Sequence, residues 1–251
     1  MFMQALHSEF LKIRYTKSFI TLLSLITIFS LGSSAVIGYM ARKGVGEGII
    51  GETIIWASMT SFGTTSIIPL SLLIFFFVSA LTSEYATGTR MYTHLTTPNR
   101  TIAAIAKWVA VSAVGIVFVL LLSYLNQLIL TVVQIGNINV SPDKGSLLVH
   151  PLGLALAVPF LVAFIHGLGY VFRSTAGVIV IMMIMLMRID NMIILFPKVQ
   201  QAFDYLFMRN VRTLWNANFI SQDFFTSLGI TSVWSIVMFA IGIVVLNKRD
   251  T

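Results

Sequence analysis

Cysteine is absent from the 251 residues, which excludes a disulfide framework, a thiol nucleophile and any cysteine-held metal site. Charge is scarce as well: Asp, Glu, Lys and Arg make up 10% of the chain, against about 25% in ordinary soluble domains. No apolar run holds two acids, which argues against an intramembrane enzyme working through paired carboxylates. There is no G-x-x-x-x-G-K-[ST] phosphate loop, so the chain has no usual means of cradling ATP. H-E-x-x-H is also missing, and the histidines His7, His94, His150 and His166 are dispersed. A membrane histidine such as His166 reads as an interhelical hydrogen-bonding group before it reads as a ligand. The stretch Gly46–Gly51 fits G-x-G-x-x-G, but no βαβ unit surrounds it, and it reads as a flexible loop. Asn99–Thr101 and Asn139–Ser141 match a glycosylation sequon, which carries no weight without a eukaryotic context.

What the chain has is apolar length. Hydrophobic residues reach 57%, and they lie in runs of bilayer thickness, about 20 residues for a helix. Six runs qualify: Ser18–Met40, Met59–Leu81, Trp108–Leu130, Leu152–Phe172, Ala176–Phe196 and Leu228–Leu246. They are continuous rather than alternating, so they predict helices and not barrel strands. The first run exceeds the h-region of a signal peptide and reads as a retained span. The expected fold is therefore an all-α integral membrane protein of six transmembrane helices, one domain over residues 1–251. The short link Arg173–Thr175 makes the fourth and fifth spans a helical hairpin.

The net charge of +7 is spread between apolar segments, which points to a membrane surface and not to nucleic acid. With the N-terminus inside, the inner segments carry nine Lys and Arg (Lys12, Arg14, Lys17, Arg90, Arg100, Lys107, Arg173, Lys248, Arg249) against seven outside. This excess, concentrated at both chain ends, predicts cytoplasmic termini. Ahead of the first span, Phe2, Leu6, Phe10 and Ile13 recur at helical spacing while Gln4, Ser8, Lys12 and Tyr15 lie elsewhere on the wheel. That pattern predicts an amphipathic helix over residues 1–17, resting on membrane lipid at the inner interface; the alternative is a frayed basic tail.

Between the second and third spans, residues 82–101 contain Glu84, Gly88, Thr89, Arg90, Pro98 and Arg100. Gly88 can break a helix, Thr89 can cap a short one and Pro98 can end it. Such a turn would offer an acid, arginines and aromatics to a cytoplasmic partner; the alternative is a solvated loop whose charges only set topology.

This loop resembles the first cytoplasmic loop of permease subunits in ABC-2 type exporters. The residues that carry the resemblance are Glu84-Tyr85-Ala86-Thr87-Gly88-Thr89, then Leu95, Pro98-Asn99-Arg100, and Lys107 entering a span. The layout agrees with it along the whole chain: an N-terminal helix with Glu9 and Lys12, six spans, an outer segment before the last, and a short basic end at Asn247–Asp250. The outer loop Arg42–Ala57 is longer than the family minimum.

The resemblance implies that residues 82–101 form a coupling helix docked on a separate ATPase. Glu84, Tyr85, Gly88, Thr89, Arg90 and Arg100 would take part, together with Glu9 and Lys12. It further implies two ATPase subunits that bind the ATP and Mg, a second permease copy or paralogue, no cofactor held by this chain, and a bacterial cell membrane. The mostly apolar spans favour a hydrophobic or amphipathic cargo: a peptide, an antibiotic or other drug, or a lipid-linked molecule.

Two outer features remain. Arg188 and Asp190 interrupt the fifth span, where charges are costly and usually face a bundle interior or water. They either line a pathway or gate, or mark the outer end of a span with Arg188 snorkelling. The segment 197–227 is dense in aromatics, including Phe203, Phe207 and Trp215. It fits an interfacial belt or, as the resemblance implies, re-entrant helices closing the outer side. The rival functions are an ion or small-solute channel or carrier, which calls for intramembrane acids, and an intramembrane enzyme.

Overall fold

The computed structural model describes residues 2–42, 67–86, 99–134, 144–186, 204–216 and 222–249. Every regular element among them is an α-helix: α1 (Phe2–Tyr15), α2 (Lys17–Arg42), α3 (Ile67–Ala86), α4 (Arg100–Gln134), α5 (Lys144–Phe172), α6 (Thr175–Leu186), α7 (Phe207–Asn216) and α8 (Gln222–Arg249). Four stretches are long and apolar enough to cross a membrane: Lys17–Val36, Arg100–Ile129, Pro151–Phe172 and Gln222–Lys248. Ser71–Tyr85 and Thr175–Leu186 are apolar but shorter. The rest of the second and fifth expected spans, 59–66 and 187–196, lies outside the described residues.

Two helices reach past their apolar runs, α4 at its start and α3 at its end. α4 starts at Arg100, well ahead of the apolar run at Trp108. Asn99 caps it, with Oδ1 accepting from the Thr101 and Ile102 amides at 3.1 and 3.2 Å. α3 likewise continues past Leu81 to Ala86, which carries Glu84 into the helix. The hairpin between α5 and α6 closes through Arg173, whose φ of 51° is left-handed, the conformation that commonly stops a helix. Ser174 then starts α6, its Oγ accepting from Gly177 N at 3.3 Å.

α5 and α8 form the most extensive helix pair. Glycines set their approach: a Cβ on Gly242 would lie 2.9 Å from Gly167 Cα, and one on Gly167 would collide with the Met238 carbonyl. Lipid supplies no hydrophobic drive between helices, so such backbone contact is what holds them together. Phe77 packs over Gly115 at the junction of α3 and α4. Around it, Ile26, Leu73, Phe76, Leu122, Leu161 and Val178 are fully or almost fully buried.

Polar side chains tie the helices together at a few points. Asn126 Nδ2 donates to Ser30 Oγ at 2.9 Å, and Thr175 Oγ1 donates to Thr82 Oγ1 at 2.8 Å. Trp108 Nε1 donates to the Pro159 carbonyl at 2.9 Å.

α1 forms a helix over Phe2–Tyr15. Ala5, Glu9 and Ile13 are its buried residues, packed chiefly on α4. Of the expected apolar stripe, Ile13 and Leu6 pack against the core while Phe2 and Phe10 are exposed. The reason is physical: lipid can accept the phenylalanines, but only protein can supply charged partners for Glu9.

Candidate functional site

Four charged side chains from three helices meet at one end of the bundle. Lys12 Nζ of α1 donates to Glu9 Oε1 at 2.5 Å and to Glu84 Oε1 of α3 at 2.7 Å. Lys107 Nζ of α4 lies 2.6 Å from Glu84 Oε2 and 3.6 Å from Glu9 Oε2. Each carboxylate therefore faces both ammonium groups, and the cluster is neutral as a whole.

Local structure sets this geometry. Glu9 and Lys12 are one helical turn apart on α1, so their side chains lie together. Thr16 ends that turn, with its hydroxyl donating to the Lys12 carbonyl at 2.6 Å. The continuation of α3 and the early start of α4 bring Glu84 and Lys107 beside them.

The cluster is graded from surface to interior. The Lys12 side chain is 38% exposed, that of Glu84 15%, that of Glu9 7% and that of Lys107 6%. Burial works against charge on Lys12, but the carboxylates of Glu84 and Glu9 outweigh it and hold the ammonium above its ordinary 10.5. A buried ion pair is poor evidence of net stability, yet breaking one by removing a partner is strongly unfavourable. The arrangement makes α1, α3 and α4 move together, or pay for separation in unpaired charge.

Three residues singled out in the sequence, Glu9, Lys12 and Glu84, are thus brought into one site. Tyr85 packs nearby, against the cluster of Leu81, Ala104, Tyr170 and Leu246. Arg100 stands at the start of α4. Gly88, Thr89 and Arg90 lie outside the described residues, as do Arg188, Asp190 and Phe203.

Lys107 is the member that sequence reasoning did not place. A lysine just ahead of an apolar run reads as a topology signal, and only the early start of α4 turns it inward. His166 also departs from expectation: it is fully buried, and neither ring nitrogen has a hydrogen-bond partner among the described residues.

Further along the bundle, α7 packs chiefly on α8 and also on α5. Phe207 stacks on Phe164 with ring centroids 3.8 Å apart, and Arg212 Nη2 donates to the Met185 carbonyl at 2.9 Å. Phe207, Met208, Val211 and Leu214 are buried, so this part of the aromatic segment is core. Tyr205 and Phe225 remain exposed, as a belt residue would be. Trp215 belongs to α7, and its side chain is outside the described set. Among the described residues, no group of His, Asp and Glu is placed to hold a metal ion.

Compared with known proteins, the sequence matches no family model and no curated sequence.

Proposed function

We propose that this chain is the permease subunit of an ATP-driven exporter of the ABC-2 type, moving a hydrophobic or amphipathic substrate with a separate ATPase. One observation carries the reading. Glu84 and Lys12, 72 residues apart in sequence, were tied to coupling by the resemblance, and with Glu9 they meet in one partly buried ion cluster. The connection 87–98 leaves from the helix that carries Glu84 and returns into the helix that carries Lys107. A push on that connection reaches the cluster from two sides, and α1 follows through Glu9 and Lys12.

On this reading α3 and α6 belong to the second and fifth of six spans. The cluster end faces the cytoplasm, where Lys and Arg are in excess. A second permease copy or paralogue and two ATPase subunits complete the transporter. The test is purification of the tagged chain in mild detergent with identification of what accompanies it. An ATPase bearing a phosphate loop is expected, and the chain stripped of partners is expected not to hydrolyse ATP. Hydrolysis that persists without any partner contradicts the proposal.

A second reading, a proton-linked carrier, has one observation in its favour: Glu84 lies in an apolar helix and pairs with a buried lysine, as acids in carrier pathways do. Transport that follows a proton gradient without ATP would select it.

A further inference from the structure

Two contacts fix the depth of α7. Phe207, at its start, stacks on Phe164 of α5 with ring centroids 3.8 Å apart. Trp234 of α8 donates its indole N–H to the Tyr205 carbonyl at 2.8 Å. Trp234 is one residue from the middle of the apolar stretch Gln222–Lys248, and Phe164 is within three residues of the middle of Pro151–Phe172. At a rise of about 1.5 Å per residue, both lie within about 5 Å of mid-depth. α7 therefore begins near the centre of the hydrocarbon layer. Its 10 residues cover about 15 Å, half of that layer.

The start of α7 is nevertheless charged. Asp204 and Arg209 form an ion pair at 2.5 Å, and Asn210 Nδ2 donates to the Asp204 carbonyl at 2.8 Å. Both charged side chains open to the outside of the molecule, Asp204 at 63% exposure and Arg209 at 39%. At this depth lipid is a poor neighbour for them. Ionised groups inside a membrane face a bundle interior or water, and pairing alone does not repay the loss of water. Snorkelling offers Asp204 no escape: its carboxylate sits on a single methylene, and the interface is about 15 Å away. Tyr205, also 63% exposed, has the exposure of a belt residue but not the depth of one.

We infer that Asp204, Tyr205 and Arg209 line an aqueous recess that enters from the outer face and reaches mid-depth beside α7. The charged pair keeps its water there. Phe207, Met208, Val211 and Leu214 lie on the opposite side of the helix, buried toward α5 and α8, and seal the recess from the bundle. The inference rests on α5 and α8 crossing the bilayer from outside to inside, as the proposed function has them, and not on coupling to an ATPase.

The experiment uses the natural lack of cysteine. Asp204→Cys, Tyr205→Cys and Arg209→Cys are labelled singly in intact cells with two impermeant thiol reagents, one cationic and one anionic. Ile28→Cys is the reference: Ile28 is 65% exposed and near the middle of Lys17–Val36, so it has similar depth but faces lipid. Because the reactive thiolate forms in water, the three variants are expected to label at least about tenfold faster than the reference. Asp204→Cys keeps Arg209 and should favour the anionic reagent, and Arg209→Cys keeps Asp204 and should favour the cationic one. Tyr205→Cys leaves the pair intact, so it decides the matter if the charged variants insert poorly. Labelling of Tyr205→Cys as slow as the reference overturns the recess, and so do equal rates for the two reagents in both charged variants. Lys144→Cys separates these failures from an error of topology. If position 144 labels from outside while 204, 205 and 209 do not, the recess falls. If all four label only after permeabilisation, the recess stands and the proposed orientation falls.

Discussion

Lys107 and Glu84 lie 2.6 Å apart, and through that contact the beginning of α4 holds the end of α3. Both side chains are largely buried, so the pair is held without water to compensate either charge if its partner is lost. Lys107→Met is therefore expected to destabilise the chain by about 3–5 kcal/mol, the usual consequence of breaking a buried pair from one side. Lys107→Met combined with Glu84→Gln should cost less than the two single changes summed. Unfolding in mild detergent, read as a double-mutant cycle, measures the difference.

The charge on Lys12 carries a pH dependence. Its native affinity for the proton is raised above the ordinary 10.5 by Glu84 and Glu9. The stability it contributes is thus fully present below about pH 10 and is lost as the pH rises through the higher native value. Contact of α1 with α4 is expected to loosen in strongly alkaline solution. A fluorescent label at position 7 should report the change. Lys12→Arg should move it to higher pH, since arginine stays protonated.

The glycines of the α5–α8 crossing predict a packing effect. Gly242→Ala places a methyl group 2.9 Å from Gly167 Cα, and is expected to lower stability by about 1–3 kcal/mol through overpacking. Gly32→Ala is the control: nothing lies within 4 Å of its added Cβ, and its melting temperature should be unchanged or higher.

Topology follows from the distribution of charge, and the natural absence of cysteine makes it simple to test. With an impermeant thiol reagent, His7→Cys and Arg100→Cys should label only after cells are permeabilised, and Lys144→Cys in intact cells. Labelling of position 100 from outside reverses the orientation.

The apolar runs were legible because bilayer thickness imposes a length that soluble cores do not need. The hairpin link at Arg173 was legible too, with one helix ending at Phe172 and the next starting at Thr175, but the early start of α4 was not, since the Asn99 cap acts through hydrogen bonding that hydropathy does not register. Apolar periodicity selects Phe2, Leu6, Phe10 and Ile13 on α1, but it does not register that Glu9, on the same side as Ile13, is buried with it toward the bundle. Glu9, Lys12 and Glu84 came into view through a resemblance, not through spacing. Nothing in the sequence places segments so far apart against each other, or turns Lys107 inward to meet them.

The central claim is that the cluster couples this chain to an ATPase, and ATP hydrolysis by the purified complex in lipid vesicles tests it most directly. Glu84→Gln and Lys107→Met should each insert normally yet lower hydrolysis by about tenfold or more. The exchange Glu84→Lys with Lys107→Glu should restore part of it, because opposite charges face each other again. Full activity in both single variants, with the complex intact, would contradict the account.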